Sequence, residues 1–218
     1  MRLPATAALA LALFASSATA QAPDPADAAK AAEVWDGYIA ALVARNGSAA
    51  AALVMPDTHA WYERMARLAL RGSAEEVRSL DLMGRMTTLM FRARLPADTL
   101  ERLSGRELFA LAVDRGWVGS QLPRGFQLTR VDGARGFGTF QTPAGTSPEL
   151  ELMRRAPGGD GWRLNLMQVM NLGRDALQQV LQGMADQAGT DVDTALLGLL
   201  SQVVGRRLGP EIWQPLRP

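Results

Sequence analysis

Apolar residues recur with a helical period along the N-terminal half of the chain. The first such segment has apolar side chains at positions i, i+3, i+4, i+7 and i+8: Trp35, Tyr38, Ile39, Leu42 and Val43. This spacing is typical of an amphipathic helix with one buried face. Asp24 and Pro25 suit the cap and the first position of that helix. Asn46 and Gly47 predict its end, because both tolerate the left-handed conformation that is common there.

Two capping boxes predict further helix starts. Ser73 precedes Glu76 by three residues, and Ser104 precedes Glu107 by the same spacing. In this arrangement each side chain bonds a backbone N–H group of the other residue. The N-terminal half is therefore predicted to be a series of helices.

The period of the apolar residues changes to two after residue 123. Phe126 alternates with polar residues, and Asp132-Gly133 is typical of a hairpin turn. Residues 149–155 and 162–166 alternate in the same way. Pairing residues whose numbers sum to 316 places Leu152 opposite Leu164 and gives this second hairpin one apolar face and one polar face.

The order of elements predicts an α+β fold, in which N-terminal helices pack on a curved antiparallel sheet of about four strands, as a cone-like roll, and C-terminal helices follow. Helical patterns return at about residues 173–187 and 191–207. We predict an α+β roll domain over residues 31–170. Residues 171–218 are predicted to form a helical extension that packs on this domain or on a partner subunit.

Residues 1–20 have the pattern of a signal peptide. Its parts are a positive start at Arg2, an apolar run from Ala5 to Ser16 and the small-residue motif Ala18-Thr19-Ala20. The run is shorter than the about 20 residues that a membrane span needs. We therefore predict a periplasmic or secreted protein of a Gram-negative bacterium, with a flexible lead over residues 21–30 and no transmembrane segment after signal removal.

Composition narrows the function classes. Of the 23 basic residues Arg2 leaves with the signal peptide, so 22 basic residues face 22 acidic ones, and a nucleic-acid partner is not expected. The chain has no cysteine and one histidine. Disulfides are therefore excluded, and neither a metal site nor a cofactor is predicted.

Four segments resemble the nuclear-transport-factor-two-like superfamily (cystatin-like α+β roll): Trp35 to Leu42, Val131 to Ala134, Leu150 to Leu152 and Gly161 to Leu166. The resemblance implies a pocket between a concave sheet and the helices. It leaves function open, because the superfamily includes enzymes, transport factors and oligomerising modules. The export signal and the element order also resemble the periplasmic phospholipid carriers of the lipid-asymmetry system, which implies a cavity for acyl chains.

The stretch PDTHAWYERM contains the single histidine. Pro56 is predicted to end one segment, and Asp57 or Thr58 to cap the next helix, with His59 exposed in its first turn. Asp57 lies at i−2 from His59 and so points elsewhere on a helix. We predict no catalytic residue, although a catalytic alternative would use His59 and Tyr62.

Nine aromatic and methionine positions could line a ligand pocket: Trp35, Tyr38, Trp61, Tyr62, Met90, Trp117, Phe126, Phe140 and Trp162. Arginines also recur every seven residues from Arg71. Arg78, Arg85 and Arg92 could bind an anionic partner, or they could be a solvated face in which Asp81 pairs with Arg85.

These patterns predict a non-enzymatic, exported module that binds a small apolar or amphipathic ligand or another envelope protein, with a homodimer as one arrangement. One alternative is a cofactor-free isomerase or dehydratase, which would need a buried carboxyl group of raised pKa in its pocket. The other is a periplasmic lipid carrier, which would need a cavity deep enough for acyl chains.

Overall fold

The computed structural model describes residues 22–118, 124–142, 145–156, 158 and 161–217, so the predicted signal peptide of residues 1–20 lies outside the described residues. Among the described residues, seven helices come before the sheet: α1 (Pro25–Val43), α2 (Gly47–Leu53), α3 (Pro56–Arg71), α4 (Ala74–Arg78), α5 (Leu82–Arg94), α6 (Ala97–Arg102) and α7 (Gly105–Asp114). The strands are β1 (Arg124–Asp132), β2 (Arg135–Thr142), β3 (Gly145–Thr146), β4 (Leu150–Arg155) and β5 (Trp162–Leu164). Two helices and a 3-10 turn follow: α8 (Leu166–Ala188), α9 (Val192–Val204) and Pro210–Trp213.

The predicted α+β fold is confirmed. The sheet is antiparallel, in the order β1-β2-β4-β5, and the two-residue β3 pairs with β2. Both predicted capping boxes are present, at the starts of α4 and α7. Asp24 caps α1 by accepting a hydrogen bond of 2.7 Å from the Ala26 N–H.

Several predicted helix boundaries are wrong. Asn46 does not end α1; its side chain accepts from the Ala49 N–H and so begins α2. Neither Asp57 nor Thr58 caps α3, because the helix already begins at Pro56. Since α1 begins at Pro25, residues 25–30 of the predicted flexible lead are helical.

The register of the second hairpin differs from the prediction by one residue. Met153 pairs with Leu164, so the partners' numbers sum to 317 rather than 316. The physical reason is that Leu152 and Met153 are both fully buried, although neighbouring residues of a strand point to opposite faces. Alternation cannot choose a register for a strand that is covered on both sides.

Two apolar cores share the helices α5 and α8. The larger core lies between the sheet and the N-terminal helices, around Tyr38, Phe109 and Trp162. The smaller core joins α4 and α5 to the C-terminal helices, around Leu89 and Leu196. The first half of α8 packs on the larger core and its second half in the smaller one, so the predicted boundary at residue 170 falls inside a helix.

Close backbone contacts fix α7 among its neighbours. A Cβ atom at Gly105 would lie 2.0 Å from the His59 carbonyl oxygen of α3, and one at Gly47 would lie 2.0 Å from the Ala110 carbonyl oxygen. Glycine is therefore required where α7 meets α2 and α3. None of the helices in the described part of the chain is both long and apolar enough to span a membrane.

Candidate functional site

A cleft of about 280 Å³ lies between α3, α5 and the first half of α8. We call it the Tyr-Met cleft, and it is lined by Tyr38, Tyr62, Met83, Met86, Thr87, Trp117, Val118, Leu166, Val169, Met170 and Gly173. An adjoining space of about 60 Å³ has five lining residues in common with it: Tyr62, Met86, Thr87, Trp117 and Val118. This space extends the cleft toward Met90 and Phe91.

Two helices supply the apolar walls of the Tyr-Met cleft. On α5, Met83, Met86 and Met90 are spaced i, i+3 and i+7 and therefore lie on one face. On α8, the lining residues follow the spacing i, i+3, i+4 and i+7: Leu166, Val169, Met170 and Gly173. Methionine side chains are unbranched and adapt their shape to a neighbour. The walls thus suit an apolar molecule.

Two buried tyrosine side chains line the cleft. Tyr38 is 1% exposed and Tyr62 is 6% exposed. The Tyr38 hydroxyl is buried and has no hydrogen-bond partner among the described residues. Burial raises the pKa of both phenols above the ordinary value, and the Tyr62 charge would raise the pKa of Tyr38 further. Both side chains therefore stay neutral.

The Tyr62 ring is held by other aromatic rings. Its centroid lies 5.2 Å from that of Phe109, in an edge contact, and 6.1 Å from that of Phe91. Trp61 makes a third contact, also at 5.2 Å. Because three rings surround it, Tyr62 presents its side chain to the cleft in a fixed position.

The cleft contains no charged group among its described lining residues. A proton-transferring isomerase of the kind considered above would need a carboxyl group there. A charged ligand group would also lack an opposite charge in the lining, and burying an unpaired charge is costly. The cleft is therefore suited to neutral molecules.

Four of the nine predicted pocket residues line the cleft or its extension: Tyr38, Tyr62, Met90 and Trp117. The other five lie elsewhere. Trp35 stacks on Phe126 and Phe140, with centroids 5.2 and 5.8 Å apart, in the larger core. Trp162 is buried in the same core, and Trp61 lines a small polar groove beside α4.

The remaining cleft residues were missed because α8 was predicted to begin near residue 173. Residues 162–166 alternate like a strand, yet Leu166 already begins α8. The signal that could have revealed them is the apolar i, i+3, i+4 spacing that starts at Leu166. On α5, the matching signal was the spacing of Met83 and Met86.

His59 lies away from the cleft and is half-buried rather than exposed, which corrects the prediction. Its ring lies 6.2 Å from that of Phe109, and its Nε2 atom is buried without a partner among the described residues. Burial and then the Arg106 charge lower the pKa of His59, while a hydrogen bond with the Ala51 backbone opposes the shift. Asp57 instead pairs with Arg154 at 3.5 Å.

Arg92 is 5% exposed and so does not belong to a solvated face. Its guanidinium donates to five backbone carbonyls: those of Leu68 (2.8 Å), Ala69 (3.0 Å), Gly72 (2.6 Å), Ile212 (3.2 Å) and Trp213 (2.5 Å). Burial lowers the pKa of Arg92 to about 10, so the side chain keeps its charge near neutral pH. It stabilises the negative end of the α3 dipole.

Arg78 and Arg85 both bind Asp193 of α9, at 3.2 and 2.9 Å. The predicted pairing of Asp81 with Arg85 is wrong, because Asp81 caps α5 by accepting from the Gly84 N–H. Together with Arg92, these side chains join α4 and α5 to the C-terminal part of the chain. The charges of Arg78 and Arg85 are thus paired with a carboxylate of the same chain, and the guanidinium of Arg92 binds backbone carbonyls.

A wider groove of about 580 Å³ lies on the surface between α3 and α6. Its charged rim is paired in part, since Glu63 binds Arg67 at 2.8 Å and Glu101 binds Arg217 at 3.4 Å, whereas Arg71 and Arg102 have no ion pair among the described residues. The groove contains no buried polar atom without a partner among the described residues. The Tyr-Met cleft is smaller, but its described lining is uncharged and largely apolar, as is usual in small-ligand sites.

The chain matches no protein-family model, and comparisons with curated proteins and with solved structures find no match either. Within the described ranges, no three His, Cys, Asp or Glu side chains lie together as metal ligands would. The geometry of the cleft is thus the basis for a functional proposal.

Proposed function

We propose that the protein is an exported, non-enzymatic module of the nuclear-transport-factor-two-like kind that binds a small apolar or amphipathic ligand in the Tyr-Met cleft. The single observation that carries the proposal is a cleft whose described lining joins methionine side chains of α5 and α8 to two buried tyrosine rings and includes no charged group. Such an uncharged and largely apolar lining is typical of small-ligand sites.

The size of the cleft favours a small molecule over a diacyl lipid. Its volume of about 280 Å³ lies just below the about 300–1,000 Å³ that ligand sites occupy. The lining supports binding better than proton transfer, because its described residues include no carboxylate. Both alternatives rank below a small-ligand module for these reasons.

Two glycines of α8 provide a matched test of ligand binding. A Cβ atom at either Gly173 or Gly183 would meet no heavy atom within 4 Å, but Gly173 lines the cleft and Gly183 does not. Leucine at either position improves helix propensity by about 1 kcal/mol. The variants Gly173→Leu and Gly183→Leu therefore differ in cleft filling but not in helix propensity.

The assay is fluorescence titration with N-phenyl-1-naphthylamine, a small neutral dye that brightens in apolar surroundings. We expect saturable binding by the wild-type protein and by Gly183→Leu, and binding weakened about tenfold or more in Gly173→Leu, since the new side chain occupies the cleft. Absence of saturable binding by the wild-type protein, or equal weakening in both variants, would overturn the proposal.

Export is tested on the full chain produced in a Gram-negative host. We expect the protein in the periplasmic extract, with an intact mass that lacks residues 1–20. An unprocessed protein that stays in the cytoplasm would overturn the proposed location.

A further inference from the structure

A second cavity of ligand size lies outside the Tyr-Met cleft. It is the wider groove between α3 and α6, which we call the α3–α6 groove. Its volume is about 580 Å³, within the about 300–1,000 Å³ that small-molecule sites occupy. Its lining follows α3 from Glu63 to Arg71, and at a rise of about 1.5 Å per residue this wall is about 12 Å long. A ligand with an extended chain can therefore lie along the groove.

The inner surface of the α3–α6 groove is apolar. Ala66 and Leu70 of α3 line it, together with Leu100 of α6 and the adjacent Leu103. The first three of these residues are buried and Leu103 is partly buried. A hydrocarbon chain placed against them would be removed from water in part, which favours binding through the hydrophobic effect.

The rim of the groove carries an excess of positive charge. The charged residues that line it are Glu63, Arg67, Arg71, Glu101 and Arg102. Both carboxylates already have an arginine partner, as described above. Arg71 and Arg102 are exposed and have no ion pair among the described residues. The charges that remain available to a ligand are therefore positive.

The two arginines stand on opposite walls of the groove. Arg71 ends α3 and Arg102 ends α6, and the helix dipole favours a cation at this end of a helix. That preference explains their positions but leaves the guanidinium groups accessible. Within the described residues, their only hydrogen bond is the one from Arg102 Nε to the Asp98 carbonyl at 3.2 Å. Guanidinium groups bind carboxylates and phosphates through parallel hydrogen bonds, so an anion between the walls would be attracted from both sides.

We infer that the α3–α6 groove binds an anionic amphiphile, whose alkyl chain lies on the apolar surface and whose carboxylate or phosphate group pairs with Arg71 and Arg102. A fatty acid and a single-chain lipid phosphate share this chemistry. The inference goes beyond the proposed function, since the groove has no lining residue in common with the Tyr-Met cleft. Arg71 also begins the series of arginines spaced by seven residues, and its charge is accessible where those of Arg78 and Arg85 are paired.

Calorimetric titration with decanoate and decanamide tests the role of the charge. These two probes have nearly the same shape, but only decanoate is charged. At low ionic strength we expect decanoate to bind about fivefold or more tightly than decanamide, because each arginine contributes as a partly exposed ion pair. Added salt should reduce this difference by screening the charges. Butyrate, which lacks most of the chain, should bind at least about tenfold more weakly than decanoate.

A pair of double variants locates the binding site. The variant Arg71→Gln/Arg102→Gln should weaken decanoate binding about fivefold or more and leave decanamide binding within about twofold of wild type. The control is Arg64→Gln/Arg115→Gln, which removes the same charge from two exposed arginines that do not line the groove. Decanoate should bind to this control within about twofold of its wild-type affinity. Equal weakening in the two double variants would overturn the inference.

Decyl phosphate, titrated in parallel, separates the two sources of such an anion. We expect both anions to bind, and the tighter one identifies the head group as that of a fatty acid or of a lipid phosphate. If neither anion binds saturably, or if decanamide binds as tightly as decanoate, the inference is wrong.

The variant Gly173→Leu distinguishes this inference from the proposed function. It fills the Tyr-Met cleft and should leave decanoate binding within about twofold of wild type, because Gly173 does not line the α3–α6 groove. Loss of decanoate binding in Gly173→Leu would overturn the inference while the small-ligand function stands. Wild-type protein that binds decanoate as expected but not N-phenyl-1-naphthylamine would support the inference and overturn the proposed function.

Discussion

Replacement of the buried Arg92 by methionine should destabilise the protein far more than loss of a surface arginine would. Methionine keeps much of the apolar stem but has no donor. The guanidinium bridges the end of α3 and the segment around the 3-10 turn through five carbonyls. The variant Arg92→Met therefore removes every one of these bonds at once.

The size of this loss of stability follows from the backbone carbonyls that lose their hydrogen-bond donor. The Leu68 carbonyl also accepts from the Gly72 N–H at 2.9 Å, and the Ala69 carbonyl also accepts from the Leu216 N–H at 3.2 Å, so these two keep a partner. The other three lose theirs, at about 1–3 kcal/mol for each one that stays buried. Relaxation limits the total, and we expect a loss of about 3–5 kcal/mol.

Urea unfolding followed by circular dichroism measures this loss. A typical domain has about 5–15 kcal/mol of stability in all, so the midpoint should fall steeply. The control is Arg67→Met, which removes an arginine whose side chain is 66% exposed and whose pair with Glu63 lies on the surface. It should cost less than about 1 kcal/mol. If Arg92→Met also costs less than about 1 kcal/mol, the burial and bonding of Arg92 described above are wrong.

Three further predictions concern pH and packing. Tyr38 and Tyr62 are the two tyrosines of the chain, and their raised pKa values mean that the native protein should show no phenolate absorbance at pH 10, where a free tyrosine is half ionised. Because the folded state favours the neutral phenols, their contribution to stability is present below pH 10 and is lost as the pH rises above it. A native spectrum that shows half of the phenolate absorbance at pH 10 would contradict their burial. The lowered pKa of His59 means that the stability of the folded protein decreases as the pH falls below 6.5. In His59→Gln, the urea midpoint should therefore change less with pH between about pH 5 and 7 than it does in the wild-type protein. Equal pH dependence of the two midpoints would count against a buried imidazole. Gly105→Ala should cost about 1–3 kcal/mol in urea unfolding because its methyl group would clash with the backbone of α3, whereas Gly183→Ala should add up to about 1 kcal/mol; equal stability of these two variants would mean that α7 and α3 are not in such close contact.

Local chemistry made the helix starts the most predictable part of the fold. Ser73 with Glu76 and Ser104 with Glu107 form their bonds within three residues, so no distant contact can alter them. Asn46 shows the limit of such signals. It is equally suited to ending a helix and to beginning one, and here it begins α2.

Long-range contacts made the site less predictable. Tyr38, Tyr62, Met90 and Trp117 were found because aromatic and methionine side chains are the usual lining of pockets. The wall on α8 was missed, because the beginning of that helix depends on where the sheet ends. The pairing of Arg85 with Asp193 spans 108 residues, and no local spacing could have preferred it to the nearby Asp81.

The bonds around Arg92 also set an order of events during folding. Arg92 donates to the carbonyls of Ile212 and Trp213, which lie 120 and 121 residues further along the chain. The Ala69 carbonyl at the end of α3 accepts from the Leu216 N–H, which is also distant in sequence. Closing so long a loop is a slow step compared with forming the helices themselves. Until residues 212–217 have been synthesised, α3 lacks its final partners, and the larger core stays incomplete. We therefore expect the last folding step to follow the synthesis of nearly the whole chain.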